Sequence, residues 1–121
     1  MESSGGSFKG RERRRARRYK VSFRARWEGV WASREATVKD LSACGCFVLT
    51  EDLVKKGEKV RLELWLPRGG RIAIWGSVVY QVAEVGFALN FERFPYEEDR
   101  KKFDWLVRAE AHRADRLPAK K

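Results

Sequence analysis

Six short runs of alternating apolar and polar residues, parted by turn-forming residues, predict an all-β fold. The expected architecture is a small six-stranded antiparallel barrel with a C-terminal α-helix and a flexible basic N-terminal arm. Three observations predict it. The apolar period is two from Tyr19 to Phe91, and it becomes helical after Pro95. Lys9 to Arg26 holds ten basic residues against one acid, which is nine of the chain's ten net positive charges. The positive charge is therefore local, an anion-binding device at one place.

The 121 residues suffice for one domain with a modest core, 43% of them being hydrophobic. Charged residues at 36% and the absence of a long apolar run exclude a membrane-spanning protein. Residues 1–10 are Ser/Gly-rich and polar, without the apolar stretch of a signal peptide, and are expected to be a disordered lead-in. Residues 11–18 form the arginine-rich arm, where like charges repel until an anion orders them.

The barrel is expected over residues 19–94. Val21, Phe23, Ala25 and Trp27 alternate with polar neighbours in the first strand, and Gly29–Ser33 turns into a second over Arg34–Leu41. Asp40–Gly45 breaks the alternation before a third strand, Cys46–Thr50. A loop with room for one helical turn leads to Glu58–Leu66, where Val60, Leu62, Leu64 and Leu66 share a side. Pro67–Gly70 reads as a hairpin turn into a fifth strand, Arg71–Val82, with Ile72, Ile74, Val78, Tyr80 and Val82 expected inside. Gly76 interrupts that face and predicts a bulge or a close backbone approach. The sixth strand is Val85–Phe91, with Val85, Phe87, Leu89 and Phe91 inward. Residues 96–113 are expected to be helical, packing Tyr96, Phe103, Leu106 and Val107, and residues 114–121 to fray. By parity Trp65 and Trp75 face away from their strands' apolar rows, Trp31 sits in a turn, and Trp105 is a packing or interface residue.

Two cysteines one residue apart, Cys44 and Cys46, are poorly placed to bridge each other and read as reduced thiols of a cytoplasmic protein. Together with a lone His112 they supply no four-ligand metal set. A Ser–His–Asp set and a Gly-rich phosphate loop are also missing, so an enzyme is not expected.

The order basic cluster, two strands, D-x-S-x-x-G, further barrel strands and helix resembles the PilZ domain family, over roughly Arg11–Phe94. Arg14 and Arg18 match its R-x-x-x-R motif, with Arg13 as the leading arginine; Arg11 with Arg15 and Arg13 with Arg17 are other registers. Asp40, Ser42 and Gly45 match the second motif. The resemblance implies a split-barrel receptor or adaptor for the bacterial second messenger cyclic di-GMP. It also implies an unidentified protein partner and control of an output such as motility or exopolysaccharide synthesis.

The residue types suit that ligand. Guanidinium forks pair with phosphate and with the guanine O6/N7 edge, which are the roles implied for Arg14 and Arg18. Arg13 would favour a stacked pair of ligands. Asp40, an acceptor only, would take the N1–H and N2–H₂ donors of guanine. Ser42 would donate to a phosphate or exocyclic oxygen, and Gly45 would permit a positive φ or close approach to the ligand. No membrane partner is expected. The alternative is a small barrel that binds nucleic acid or other polyanions through the arm alone; an acidic residue at position 40 weighs against it.

Overall fold

The computed structural model describes residues 16–116. Arg13, Arg14 and the rest of residues 1–15 lie outside the described residues, as do residues 117–121. Six strands are present: β1 (Tyr19–Glu28), β2 (Ser33–Leu41), β3 (Gly45–Leu49), β4 (Lys59–Trp65), β5 (Arg71–Val82) and β6 (Gly86–Arg93). One helix comes after them, α1 (Glu97–Arg116). The strands close in the order β1-β2-β3-β6-β5-β4, with every neighbour antiparallel.

The alternation in sequence becomes an inside and an outside. In β1 every second residue from Tyr19 to Trp27 is buried. Val60, Leu62 and Leu64 of β4, Ile72 and Ile74 of β5, and Phe87, Leu89 and Phe91 of β6 complete the interior. Trp27 sits at its centre with no exposed surface and meets Phe87 edge-on at 5.3 Å between centroids. The helix lays Phe103 against Phe91 and Phe94, at 5.4 and 5.5 Å. Asp99, buried in its first turn, accepts a hydrogen bond from the backbone N–H of Ala73 at 2.9 Å, latching α1 to β5.

Several boundaries and facings differ from expectation. The loop between β3 and β4 is a turn at Lys56–Gly57 without a helical segment. The helix extends to Arg116, three residues into the tail expected to fray, because Ala114 packs on the core and Asp115 pairs with Arg17. Tyr96 precedes the helix and is exposed. Val85 lies in the β5–β6 turn and is exposed, and Tyr80 and Val82 face solvent rather than the core. A β-bulge explains Tyr80. Val78 pairs with Leu89, but the next paired residue is Tyr80, opposite Ala88. The skipped Val79 reverses the facing of the strand residues beyond it. At Gly76 both expected features occur, since a register shift lies between Trp75 and Gly76 and a Cβ there would collide with Asn90 and Leu89 of β6.

Candidate functional site

A second bulge decides where Asp40 points. In β2, Val38 pairs with Val48 of β3, but the next paired residue is Asp40, opposite Phe47. Plain alternation would put Asp40 on the buried side with Val38. The extra residue, Lys39, turns it to the outer wall. Both bulges thus deliver side chains to one place. Successive in-register partners form a rung across five strands: Lys20 of β1, Asp40 of β2, Phe47 of β3, Ala88 of β6 and Tyr80 of β5.

This rung crosses a cleft of about 340 Å³ on the outside of the barrel. Phe47 and Tyr80 stand on either side of Ala88, their ring centroids 6.3 Å apart and tilted by 41°. Asn90, one rung below, also lines the cleft. The result is an aromatic wall with a small floor beside a carboxylate, a shape that takes a flat polar heterocycle.

At the edge of the cleft the β2–β3 loop is held by Ser42. Its hydroxyl accepts hydrogen bonds from the N–H groups of Cys44 and Gly45, at 3.1 and 3.2 Å, and lies 3.4 Å from the Gly45 carbonyl oxygen to which it donates. The Ser42 N–H donates to the same carbonyl at 2.9 Å. This hydroxyl is therefore occupied by its own loop, and Ser42 acts on the cleft by fixing the loop's shape. Gly45 has a structural reason of its own, and the positive φ expected there is absent. A Cβ there would run into the carbonyl oxygen of Leu89. The close approach it permits is that of β3 to β6.

The root of the arm divides its two arginines. Arg18 lines the cleft together with Asp40. Arg17 turns the other way, pairing with Asp115 of α1 at 2.9 Å and lying over the Tyr19 ring at 5.2 Å. Cys44 and Cys46 form no disulfide, and both are buried at the cleft. Burial, with a smaller contribution from the charge of Asp40, pushes the Cys46 thiol well above its usual range. Among the described residues no group of three or more His, Cys, Asp and Glu is arranged to hold a metal ion.

Asp40, Ser42, Gly45 and Arg18 thus come together on one wall, and Arg13 and Arg14 belong to the part of the chain not described. The sequence reading missed Phe47, Tyr80, Ala88 and Asn90. Phe47 was legible from its outward parity between Cys46 and Val48. Tyr80 was not, because a bulge leaves no period in the sequence.

The sequence model of one family, the PilZ domain, matches residues 12–109. The chain belongs to the PilZ domain family. Comparison with curated proteins gives no sequence match. Among solved structures, the PilZ domain with c-di-GMP of YcgR from Escherichia coli superposes with a TM-score of 0.62 at 14% identity, over 87% of this chain and 99% of that one. The K. pneumonia MrkH–c-di-GMP complex gives a TM-score of 0.67 at 16% identity, over 84% of this chain and 53% of MrkH. Bacillus subtilis MotI/DgrA, an inhibitor of motility, gives 0.64 at 16% identity, over 80% and 51%. This PilZ chain spans about half the length of MrkH and MotI. At these identities the likeness is one of fold.

Proposed function

We propose that this PilZ chain is a receptor for cyclic di-GMP that seats the nucleotide in the cleft on its outer wall and passes the signal to a partner protein. The observation that carries the reading is the rung Asp40–Phe47–Ala88–Tyr80 with Arg18 on the same cleft. Asp40 takes the N1–H and N2–H₂ donors of one guanine, and the ring lies along Phe47 and Tyr80. Arg18 and Arg14 clamp phosphate and the O6/N7 edge, and Arg13 recruits a second, stacked ligand. Arg18 borders the Asp40 cleft and Arg17 does not, being paired with Asp115, which favours the Arg14/Arg18 register over Arg13/Arg17. Ser42 and Gly45 shape the wall rather than bind. The c-di-GMP in the MrkH complex and in the YcgR domain lends the ligand its identity.

Binding gathers the arm onto the barrel and alters the surface a partner reads, so the chain works as a cytoplasmic adaptor rather than as an enzyme. Control of motility or exopolysaccharide synthesis is the kind of output this implies. The Asp40 carboxylate on the rung would repel a phosphate backbone, which disfavours general polyanion binding. Calorimetric titration at moderate salt tests the reading: saturable binding of cyclic di-GMP and much weaker binding of GMP and cyclic di-AMP are expected. Equal binding of all three, or none, would overturn it. The stoichiometry separates one ligand from a stacked pair.

A further inference from the structure

The outward crest of α1 has no role in the cleft. It carries Lys101, Trp105, Arg108, His112 and Arg116, spaced so that they fall along one side of the helix, and all five are exposed. The row is about 22 Å long at 1.5 Å per residue. Trp105 is 65% exposed between Lys101 and Arg108, and among the described residues neither of those cations is in an ion pair. Five of the six acids on the same helix, all but Glu98, pair with other cations, although the charge of Lys101 also bears on Glu97. Glu97 and Asp104 pair with Arg100, Asp99 with Lys102, Glu110 with Arg113 and Asp115 with Arg17.

We propose that this crest docks on an anionic phospholipid bilayer, with Trp105 seated at headgroup level and Lys101, Arg108 and Arg116 on lipid phosphates. Three features favour a lipid surface. Unpaired cations answer a negatively charged plane. An indole is the side chain that settles at a membrane–water interface, with an apolar body and one polar N–H. The shape of the charge pattern also discriminates. Glu97, Asp104 and Asp115 run along one flank of the crest, and Glu98 lies beside its start. A flat surface meets the crest, whose N-terminal end also carries Glu98, and leaves the carboxylates of Glu97, Asp104 and Asp115 at its flank, whereas a nucleic-acid groove would wrap that flank and bring them against phosphates. No described helix is long and apolar enough to cross a membrane, so the contact is peripheral. It departs from the expectation of no membrane partner, because from sequence Trp105 was as compatible with packing as with exposure.

Sedimentation of the full chain with vesicles of phosphatidylglycerol and phosphatidylcholine in equal parts, at physiological ionic strength, tests this. The wild type is expected to pellet with these vesicles and not with phosphatidylcholine alone. Lys101→Glu with Arg108→Glu is expected to weaken binding about tenfold or more. Vesicles with brominated acyl chains should quench the wild type but quench Trp105→Phe less. Undiminished binding by the charge-reversed variant would mean that the arginine arm supplies the whole contact, and would overturn the proposal. So would equal binding to phosphatidylcholine, or retention of duplex DNA lost in the same variant without any vesicle binding. None of the substituted residues lines the cleft, and the variants are expected to titrate cyclic di-GMP as the wild type does, so this inference and the receptor reading fail separately.

Discussion

On the wall built by β1, β4 and β5, outward aromatic rings are covered by the barrel's own arginines. Trp65 has the guanidinium of Arg24 at 4.9 Å and that of Arg71 at 5.4 Å. Trp75 pairs in register with Arg61 on one side and Arg93 on the other, and Arg93 lies 5.6 Å from its ring. On the wall of β2, β3, β6 and β5, Phe47 and Tyr80 have Ala88 between them, with Asp40 beyond. The first wall is finished: its π faces are already satisfied by fixed cations. Among the described residues the second carries no such guanidinium over its rings, and the Asp40 carboxylate and the arm's Arg18 both lie on the same cleft. The difference teaches that exposed aromatic area alone does not mark a site. What marks the proposed site is an aromatic surface with a cation of the arm, Arg18, on the same cleft.

The largest expected effect on this contrast is from Arg18→Ala, which removes that cation. Loss of a charged contact of this kind costs about 2–5 kcal/mol, read as a drop in cyclic di-GMP affinity by calorimetry. Asp40→Ala is expected to cost about 1–3 kcal/mol of affinity and to lessen discrimination against cyclic di-AMP. Tyr80→Ala removes one stacking face, at about 1–3 kcal/mol, whereas Trp65→Ala should leave the titration unchanged. If Trp65→Ala weakened binding as much as Tyr80→Ala, the two walls would not differ in the way described.

Asp99→Ala probes the covered side alone. It strands the buried Ala73 N–H, so thermal unfolding should report a loss of about 1–3 kcal/mol with ligand affinity intact. The smallest effect concerns Cys46. Its folded thiol holds its proton more tightly than the unfolded one, so this stability is fully present below the unfolded pKa of about 8.5 and is lost as pH rises above it. Denaturant melts at neutral and alkaline pH should show a smaller alkaline loss for Cys46→Ala than for the wild type.

How far the sequence could be read depends on where the period of two holds. The strands, the Pro67–Gly70 turn and the helix were legible because β1 and β4 alternate without interruption. Trp65 and Trp75 were placed outside by parity, and they are outside. Tyr80 was placed inside by the same rule and is not, because Val79 is skipped in the pairing with β6. Asp40 was legible as a motif residue but not as an outward one, since its direction depends on Lys39 being skipped against β3. The reason for Gly45 was hidden as well: its constraint comes from Leu89, far along the chain, and no local pattern records it. A bulge is chosen by neighbouring strands together, which is why a single chain segment does not announce it.

Ala88 carries a last consequence. Its methyl group is all that separates Phe47 from Tyr80 in the register of β3, β6 and β5. The strands approach closely on both sides, since a Cβ at Gly45 would strike the Leu89 carbonyl between β3 and β6, and one at Gly76 would strike the Asn90 carbonyl between β5 and β6. A bulkier side chain at position 88 would therefore crowd the two rings and the floor of the cleft between them. A leucine there is expected to fill the floor of the cleft on an otherwise intact barrel, so the proposed binding of cyclic di-GMP would be lost without unfolding.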